Sequence, residues 1–508
     1  MPSVHPINTA LMQFDIKLDS NIVLDTKSQI VNDSRHTQAG DVFCAVIGSQ
    51  SDGRQFISQA LTHNVALIIA ECESEAEHGL FEPLITANGT SILKINFYQF
   101  NEHLFNFASQ FYNNPQNKLQ LIGITGTNGK TSISQLTAKL LTSVNKLCAV
   151  IGTNGAGVVD SLTEIENTTP GATELMAWLH KFSEQQVSHV AMEVSSHALA
   201  QKRVKAELFN ISVFSNLSRD HLDYHGTMEN YAKTKYQIFS LQADQIAIIN
   251  GDDQQAKNWL NNWPTVQPVI IYGRSEVISQ YQAYVQACDI SHSKQGAHFT
   301  LKTHLGDIAI NSPLLGDFNI DNLLAAIAVL LANSISLKDI SAAVSTLMPI
   351  TGRMEAYYQD NFPTTVVDYA HTPDALKNAL QACRQHCQGQ LWVVFGCGGD
   401  RDKGKRPLMG EIAQHWADHV VITNDNPRTE MPKNIVKDIL AGCDKTDFIT
   451  VELERQQAVK QTIQLAKPDD VVLLAGKGHE NYIVMGKEKV AYDERAIVKQ
   501  IYMSETVL

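Results

Sequence analysis

Short apolar runs separated by polar turns mark the first part of the chain. Two of these runs, at 41–47 and 65–70, are bounded by polar residues and glycine, which is typical of buried strands. Asparagine and proline then cluster at 112–117 between two apolar stretches, and such a cluster predicts a linker. The pattern therefore indicates a small α/β domain that ends near residue 113.

Strand-length and helix-length segments alternate after this linker. The apolar runs lie at 119–125, 189–194, 211–214 and 246–250. Alternation of this kind favours strand–helix–strand units and a parallel sheet. The turn-rich segment 265–312 predicts an antiparallel patch, and an amphipathic helix is expected to begin near Asn319.

A third block begins near Gly352 and alternates in the same way. Its apolar runs lie at 365–368, 391–395, 419–422 and 471–475. Each run ends in glycine, aspartate or asparagine, as expected at the carboxyl ends of parallel strands, where open sheets bind ligands. This block is predicted to be Rossmann-like.

The charge and the chain ends narrow the class of protein. The net charge is −13 and no basic run stands out, which argues against binding to nucleic acid. The N-terminus lacks a basic segment followed by an apolar core, and the longest apolar run, Leu323–Ala332, is about half a membrane span. Eight cysteines are scattered without a CxxC pair, as in a reducing compartment. We expect a soluble cytoplasmic protein with buried thiols and no membrane span.

One loop carries a specific chemical signal. The apolar run 121–124 precedes it, a helix-like run at 132–141 follows it, and the loop itself is Thr125, Gly126, Thr127, Asn128, Gly129, Lys130 and Thr131. Glycines let backbone N–H groups close around phosphate oxygens, Lys130 can reach terminal phosphates, and the Thr131 hydroxyl can bind Mg²⁺. The spacing departs from GxxxxGK[ST], because Ile124 stands five residues before Gly129. A tight structural turn is the alternative, but GKT after a strand favours nucleotide binding.

Two downstream features suit a metal near that loop. Glu193 ends a strand-like run, where an acid can hold Mg²⁺ directly or through water; a solvated residue at a strand end is the alternative. The segment 216–226 crowds two histidines, two aspartates and an arginine into eleven positions, which suits metal and phosphate chemistry. A charged capping loop is the alternative there.

The predicted fold class is α/β with three domains. These are an N-terminal α/β domain at 1–113, a central doubly wound P-loop-type ATPase domain at 114–348, and a C-terminal Rossmann-like domain at 349–508. A chain of 508 residues exceeds what a single hydrophobic core supports, roughly 250–300 residues. Hydrophobic residues at 44% and charged residues at 18% are consistent with packed cores.

The order of motifs resembles the Mur ligase family, the ATP-dependent amide-bond ligases of bacterial cell-wall synthesis. The motifs are DSR, GDVF, DGRQFI, TGTNGKT, ENTTP, MEVSSHAL, NLSRDHLDYHG, GDFNIDN, GRME, DYAHTPDAL, GCGGDRDKGKRP, DNPR and AGKGHE. They span nearly the whole chain, and in this order they are highly specific. The resemblance implies that a substrate carboxylate attacks the γ-phosphate of ATP, with Mg²⁺ bound, and that an amine then displaces phosphate from the acyl phosphate.

The resemblance also implies roles for individual residues at the ATP end. The catalytic set is Lys130, Glu193, His221, Lys235 and Arg353; the metal set is Thr131, Glu193, His221 and Lys235 as a carbamate; Asn319, Asn322 and Asp368 join the phosphate loop in binding ATP. An unmodified lysine on an exposed helical face is the alternative for Lys235, and an N-cap is the alternative for Asn319. Contact of Arg353 and Asp368 with the nucleotide would require the third domain to close over the second.

Two further sets are implied for the other substrates, which are expected to be UDP-N-acetylmuramoyl-L-alanyl-D-glutamate and meso-diaminopimelate. The uridine-side set is Ser34, Ser49, Gln50, Ser51, Asn167, Thr168, Thr169, Ser195, Gln201 and Arg203; the diaminopimelate set is Arg401, Asp425, Asn426, Pro427, Arg428, Gly476 and Glu480. Turn chemistry is an equal interpretation for 49–51. An arginine fork reads a carboxylate bidentately, so Arg428 favours diaminopimelate over lysine, while Glu480 can meet the distal ammonium.

The protein is expected to be a monomer that binds only small molecules. Three alternative functions stay open at this point. Another ligase of the superfamily, such as a folylpolyglutamate synthase, is disfavoured by DNPR and by the DSR-containing first block. A dinucleotide-binding oxidoreductase is suggested by the glycines at 396–399, which lack GxGxxG spacing. A nucleotide-dependent switch leaves the substrate-side motifs unexplained.

Overall fold

The computed structural model describes residues 6–17, 22, 24–48, 51–293, 295–444 and 447–504. The chain divides into two compact units, Met1–Val269 and Ile270–Leu508. Among the described residues, no helix is both long and apolar enough to cross a membrane. The eight cysteines carry free thiols, and five of them are buried, which confirms the expectation of buried thiols for most of them.

The first unit opens with a small five-stranded sheet. Its strands are β1 (Ile30–Val31), β2 (Val42–Ala45), β3 (Leu67–Cys72), β4 (Phe81–Ile85) and β5 (Ser91–Tyr98), and its helices are α1 (Pro6–Met12), α2 (Ile57–Thr62) and α3 (Phe100–Phe111). The strand order is β1-β2-β3-β5-β4, and only β4 runs antiparallel to its neighbour. Phe97 stacks on Phe100, and Phe107 meets both rings edge-on, so aromatic packing joins the sheet to α3.

The remainder of the first unit is built on a mainly parallel sheet. Its strands are β6 (Gln120–Thr125), β7 (Cys148–Gly152), β8 (Gly155–Val158), β9 (Ser161–Thr163), β10 (His189–Glu193), β11 (Ile211–Phe214) and β12 (Ile246–Asn250). Its helices are α4 (Lys130–Ser143), α5 (Ala172–Glu184), α6 (Ser196–Ala200), α7 (Leu222–His225), α8 (Met228–Tyr236) and α9 (Gln254–Leu260). The order β12-β11-β6-β10-β7 is parallel throughout, and β8 and β9 add an antiparallel edge. The parallel sheet predicted from the apolar runs is confirmed.

The second unit begins with an antiparallel layer. Its elements are β13 (Val269–Gly273), β14 (Tyr284–Ser293), β15 (Gly296–Thr303), β16 (Gly306–Ser312), α10 (Asp317–Ala332) and α11 (Leu337–Ser345). Strands β14, β15 and β16 pair antiparallel, which confirms the predicted antiparallel patch. The expected amphipathic helix is α10, but twelve of its sixteen residues are buried. The prediction of an amphipathic face is therefore wrong, because a helix that is apolar all round is buried on most sides.

A second mainly parallel sheet completes the second unit. Its strands are β17 (Glu355–Tyr357), β18 (Thr364–Asp368), β19 (Leu391–Phe395), β20 (His419–Ile422), β21 (Ile449–Val451) and β22 (Val471–Ala475), and β23 (Tyr482–Met485) and β24 (Glu488–Ala491) form a hairpin. Its helices are α12 (Pro373–His386), α13 (Lys405–Trp416), α14 (Pro432–Leu440), α15 (Arg455–Leu465) and α16 (Glu494–Ser504). The order is β17-β18-β22-β19-β20-β21, and only β17 is antiparallel.

Both faces of this sheet are covered. Alternate residues of β22 enter different hydrophobic clusters: Leu473 packs with residues of α12, α13 and α14, and Leu474 packs with residues of α15 and α16. This arrangement explains the continuous apolar runs in the sequence, because a strand buried on two faces needs apolar residues at every position. The doubly wound, Rossmann-like architecture predicted for this block is confirmed.

A fully buried ion pair fixes the carboxyl ends of two strands in this sheet. Arg455 and Glu494 are both inaccessible and lie 2.7 Å apart, Nε to Oε1. The guanidinium also donates to the carbonyls of Asn424 and Ala475, which follow β20 and end β22. The charge is therefore satisfied on several sides, as burial of an arginine requires.

We expect Arg455→Met to destabilise the second unit by about 3–5 kcal/mol, because the carboxylate of Glu494 would stay buried without its partner. Thermal unfolding followed by circular dichroism should record a fall of several degrees in Tm. Arg35→Met is the matched control, since Arg35 pairs with Asp33 at an exposed site, and its Tm should stay near that of the wild type. Equal Tm values for both variants would contradict this role of the buried pair.

Candidate active site

The phosphate loop lies between a buried strand and a helix, as the sequence predicts. Strand β6 ends at Thr125 and α4 begins at Lys130. Two positions in the turn require glycine: Gly126 has a φ of 152° and Gly129 a φ of 88°, both unfavourable for other residues. A Cβ at Gly126 would also collide with the Ser215 hydroxyl. The loop therefore presents backbone N–H groups beside a helix N-terminus, a geometry that binds phosphate.

Neighbouring segments hold this loop in place. The Thr127 amide donates to the Asn216 carbonyl (2.9 Å), and the Asn128 amide donates to the Asn216 side chain (3.0 Å). Ser215 donates to the Asn128 carbonyl (2.6 Å). The ammonium of Lys130 lies across the loop, within 2.9 Å of two of its carbonyls. Asn216, the first residue of the crowded segment 216–226, therefore supports the phosphate loop.

Glu193 is buried beside the loop. Only 1% of its surface is exposed, so the interpretation as a solvated residue at a strand end is wrong. Its carboxylate accepts from the Thr131 hydroxyl (2.9 Å) and from the amide and hydroxyl of Thr153 (2.9 and 3.1 Å). A Cβ at Gly152 would collide with this carboxylate. The strand neighbour must therefore be glycine for the acid to fit.

The donor set at this point fits Mg²⁺. The carboxylate and the Thr131 hydroxyl are oxygen ligands, which Mg²⁺ prefers, and Mg²⁺ is usually held by one or two protein groups together with phosphate and water. Within the ranges that the structure describes, no group of three His, Cys, Asp or Glu side chains is arranged for a metal. The residues present therefore suit a metal shared with a nucleotide.

Lys235 lies on the buried face of α8, which makes the exposed-face interpretation wrong. It is 1% exposed, and its ammonium donates to the Gly126 carbonyl at 2.8 Å. The same group lies 4.5 Å from the centre of the Tyr231 ring. Burial lowers the pKa of Lys235 well below its usual range, and the nearby charge of Lys130 acts in the same direction. Both effects disfavour the charged ammonium relative to that of an exposed lysine.

A cluster of histidine and tyrosine rings adjoins Lys235. His221 precedes α7 with a φ of 52°, and its ring lies 5.0 Å from that of His197. His225 stacks on Tyr231, whose hydroxyl meets Thr127 of the phosphate loop at 3.3 Å. Burial lowers the pKa of His197 and of His225, so both rings favour the neutral form. The sequence pattern does not assign His197, His225 or Tyr231 to the site, although MEVSSHAL contains His197 and NLSRDHLDYHG contains His225.

Four of the uridine-side residues lie close to Glu193 or to one another. Thr169 donates to the Glu193 carbonyl (2.9 Å) and accepts from the Ser195 amide (3.0 Å), Thr168 meets Thr153 (3.2 Å), and Arg203 donates to the Thr169 carbonyl (3.2 Å). Ser195 also caps α6. These polar groups are therefore held rigidly by backbone contacts.

The other uridine-side residues have separate surroundings. Ser34 is buried and donates to Gln59, Gln201 contacts the Tyr224 hydroxyl at 3.4 Å, and the carbonyl of exposed Ser51 accepts from the Gly48 amide, consistent with a turn. Ser49 and Gln50 lie outside the described residues.

A cavity of about 1090 Å³ opens in the first unit. Asn167 and Arg203, two of the predicted uridine-side residues, line it together with residues of both α/β layers, among them Asp33, Trp178 and Lys181. Hydrophobic, aromatic and charged groups converge here, as is usual for a ligand site. The sequence pattern does not assign the last three residues to a site, although the DSR motif contains Asp33.

The predicted nucleotide contacts of the second unit are buried. The Asn319 amide donates to the Leu315 carbonyl (2.9 Å), and Asn322 donates to Asn319 (3.2 Å). Gly316 is the residue before α10, and Asn319 lies inside its first turn, so the N-cap interpretation of Asn319 is wrong. The two amides instead form a polar pair inside an apolar helix.

Arg353 and Asp368 lie at the start of the second parallel sheet. The carboxylate of Asp368 accepts from the backbone amides of Met354 and Ala370, each at 2.8 Å. Burial raises the pKa of Asp368, and the charge of Arg353 opposes that shift. Arg353 itself lies 4.8 Å from the ring centre of Tyr369. The two residues therefore belong to one electrostatic neighbourhood.

The predicted diaminopimelate residues gather at the carboxyl ends of β20 and β22. Asn426 donates to Glu480 (3.0 Å), and the fully buried ammonium of Lys477 contacts Asp425, Asn426 and Glu480. Gly476 has a φ of 113°, and a Cβ there would lie 3.7 Å from the Asp425 carboxylate. The sequence pattern does not assign Lys477 a role, although AGKGHE contains it.

Arg428 lies beside the glycines at 396–399. Its Nη1 donates to the Gly399 carbonyl (2.9 Å), and a Cβ at Gly398 would approach both Arg428 and the Arg401 side chain. A Cβ at Gly399 would collide with the Pro427 carbonyl. These glycines therefore allow two loops to pack, and the next helix, α13, begins only at Lys405. This arrangement disfavours the dinucleotide-binding interpretation.

Two segments match known protein families. Residues 124–330 match the Mur ligase middle domain, and residues 352–478 match the Mur ligase, glutamate ligase domain. The chain is 42% identical over 468 residues, 92% of this chain and 94% of the other, to the UDP-N-acetylmuramoyl-L-alanyl-D-glutamate–2,6-diaminopimelate ligase of Haemophilus influenzae.

Solved structures agree with these matches. A structure of a UDP-N-acetylmuramoyl-L-alanyl-D-glutamate–2,6-diaminopimelate ligase is 34% identical, with a TM-score of 0.69, and 98% of this chain and 99% of that chain are covered. MurF ligase from Thermotoga maritima, in complex with ADP, has a TM-score of 0.61 at 17% identity and covers 94% of this chain and 96% of its own; that likeness concerns the fold alone. With its phosphate loop, its donor-side loops and this near-complete coverage, the chain belongs to the Mur ligase family.

Proposed function

We propose that this protein adds meso-diaminopimelate to UDP-N-acetylmuramoyl-L-alanyl-D-glutamate, with ATP and Mg²⁺, through an acyl phosphate. The observation that carries the proposal is 42% identity over 92% of the chain to a ligase named for these substrates. The product is the UDP-linked tripeptide of peptidoglycan biosynthesis, released with ADP and phosphate.

The phosphate loop supports the first step, the transfer of the γ-phosphate. Lys130 and the loop amides neutralise and orient the phosphates, and Mg²⁺, held by Thr131 and Glu193, supplies electrostatic stabilisation of the transferred group. A phosphoryl transfer depends on position and charge neutralisation more than on covalent help from the protein. This accounts for a site without a conspicuous serine or cysteine nucleophile.

Lys235 is proposed to act as a carbamate. Its amine is buried, where the uncharged form is favoured, and only an uncharged amine has the free electron pair that attacks carbon dioxide. A nitrogen–carbon bond forms and the nitrogen releases one proton, so the neutral amine becomes an anion at a position where an ordinary lysine carries a positive charge. The carbamate and His221 would then bind a second Mg²⁺, since Lys235 contacts the phosphate loop and both residues lie near the Tyr231 ring.

The uridine nucleotide is proposed to occupy the cavity lined by Asn167 and Arg203. Amide, hydroxyl and guanidinium groups there match the hydrogen-bonding needs of a sugar and a diphosphate. The neighbouring Thr168, Thr169 and Ser195 lie on the Glu193 side of this region. The glutamyl carboxylate of the acceptor would then be directed toward the phosphate loop.

Arg428 is proposed to read the distal carboxylate of diaminopimelate. Diaminopimelate differs from lysine by this one carboxylate, and a guanidinium held by Gly399 presents a fixed fork to it. Arg401 lies on the same side of the loop. Asp425 and Glu480 supply the negative charge that complements the distal ammonium.

We also propose domain boundaries at 113/114 and 348/349. A cytoplasmic location is proposed because all eight cysteines carry free thiols. The protein is proposed to be a monomer. Light scattering after gel filtration tests the oligomeric state directly.

One assay tests the function as a whole. The protein is mixed with ATP, Mg²⁺, the UDP-linked dipeptide and either diaminopimelate or lysine, and phosphate release and product mass are measured. We expect one amide product per phosphate with diaminopimelate, and at least about tenfold slower turnover with lysine. Phosphate release without an amide product would contradict the proposal and favour a nucleotide switch.

We expect Arg428→Ala to lower kcat/KM for diaminopimelate at least about tenfold, because a buried substrate carboxylate loses its partner. Turnover of lysine should change little. Lys467→Ala is the control, since Lys467 is exposed just after the end of α15. Steady-state kinetics that leave diaminopimelate use unchanged in Arg428→Ala would refute the assignment of the donor site.

We expect carbon dioxide to be required for full activity. In buffer stripped of carbon dioxide, kcat should fall several-fold and recover with bicarbonate, and Lys235→Ala should lose about a hundredfold or more and ignore bicarbonate. Lys233→Ala, on the exposed face of the same helix, is the control and should behave as the wild type. A wild type indifferent to carbon dioxide would argue against the carbamate.

A further inference from the structure

We propose that Lys477 is a positioning residue that sets the charge and geometry of the amine-donor pocket. This inference rests on the proposed function, because it assumes that Asp425, Asn426 and Glu480 meet the donor. It extends that proposal to a residue that contacts these three side chains at once.

The side chain of Lys477 is fully buried, which is rare for a lysine. Lys477 follows Gly476, whose φ of 113° turns the chain at the end of β22. The ammonium lies 3.0 Å from Asp425 and 2.8 Å from Glu480, and it donates to the Asn426 side-chain oxygen at 2.9 Å. A buried ammonium with several oxygen partners has its charge compensated locally.

The contacts of Lys477 are directed at the donor pocket. Its one further partner is the Tyr482 carbonyl, at 3.1 Å. The two buried arginines of the same sheet bind differently: Arg455 pairs with Glu494 on α16, and Arg406 pairs with Glu430 and Asp438. Arg455 and Arg406 join structural elements, whereas Lys477 joins three side chains that face the donor.

Lys477 also decides the net charge of the pocket. Asp425 and Glu480 are two carboxylates that share one ammonium, so the trio carries one net negative charge. A donor whose distal end enters with a single ammonium matches that charge. Without Lys477, two carboxylates would face each other in a dry site, which is unfavourable. The side-chain oxygen of Asn426 would also lose one of its donors and keep the Val484 amide (2.8 Å).

The geometry therefore predicts a defect confined to the donor. Lys477→Met removes the charge and the hydrogen bonds, Lys477→Gln retains a hydrogen-bond donor without charge, and Lys477→Arg retains charge. We expect Met and Gln to raise the KM for diaminopimelate at least about tenfold. The KM values for ATP and for the UDP-linked dipeptide should stay within about twofold, and Arg should recover most of the donor affinity.

Hydroxylamine separates the donor step from the earlier one. When it replaces diaminopimelate, its nitrogen attacks the acyl carbon, the bond to the phosphate oxygen breaks, and a hydroxamate and free phosphate form. Hydroxylamine is too small to need the donor pocket. Lys477→Met and Lys477→Gln should therefore form hydroxamate at the wild-type rate, while their amide formation at low diaminopimelate falls.

Arg384→Met is the matched control. Arg384 pairs with Asp418 at the opposite edge of the same sheet and contacts no residue of the donor pocket, so its loss should leave the KM for diaminopimelate unchanged. Thermal unfolding of all variants accompanies the kinetics.

Three results would overturn the inference: an unchanged KM for diaminopimelate in folded Met and Gln variants, a parallel loss of hydroxamate and amide, or failure of all three variants to fold. The last would make Lys477 a residue of the fold alone. Failure of the proposed function is distinct, since it appears as no amide product from the wild type and overturns both.

Discussion

Cations buried beneath the loops of the second unit constrain the geometry of the proposed amine-donor pocket. A charged group in a dry interior must be surrounded by oxygen partners, and these partners fix the surrounding backbone. Arg455 binds the carbonyls that follow β20 and end β22, and Arg406 binds the Gly398 carbonyl. Three loops at the ligand-binding edge of the sheet are thus held by buried cations that are also paired with carboxylates, Arg455 with Glu494 and Arg406 with Glu430 and Asp438. The loops are therefore preorganised before any substrate arrives.

The residues proposed to bind ATP are buried in a different way. There a buried carboxylate, Glu193, and a buried amine, Lys235, lie at the two flanks of one loop, and each is bound by groups that a nucleotide or a metal can replace. Thr131 donates to Glu193, and Lys235 donates to the Gly126 carbonyl. The buried cations of the proposed donor side are paired with carboxylates, whereas the proposed ATP side consists of contacts suited to exchange. On the proposed function, rigid recognition of an amino acid and adaptable handling of phosphate use different kinds of burial.

Much of this architecture could be predicted from the sequence because it depends on local patterns. The apolar runs predicted β6, β10, β11, β12 and the central strands of the second sheet, since a strand buried on both faces must be apolar throughout. The phosphate loop was equally visible, because glycine, lysine and threonine stand in consecutive positions. The roles of these residues as ligands remain predictions.

Burial and long-range pairing could not be predicted in the same way. No local sequence pattern indicates that the Lys235 side chain points inward, or that Gly152 leaves the space that the Glu193 carboxylate fills. No local pattern indicates that Lys477 contacts a loop some fifty residues earlier in the chain. The N-cap interpretation of Asn319 failed for a similar reason, because the true start of α10 at Gly316 depends on backbone geometry at the end of the antiparallel layer. Side-chain direction is decided by tertiary packing, which no single motif encodes.

The hairpin β23–β24 has a consequence of its own. The Arg428 amide donates to the Val484 carbonyl, and the Gly486 amide donates to the Arg428 carbonyl, so the hairpin adds a short strand pairing to the backbone of Arg428, the residue that we propose binds the distal carboxylate. The position of the Arg428 guanidinium therefore depends on a hairpin much later in the chain. If Arg428 binds the donor as proposed, substitutions in this hairpin that contact no substrate would alter amino-acid selectivity. Such substitutions would let related enzymes diverge in the donor they accept.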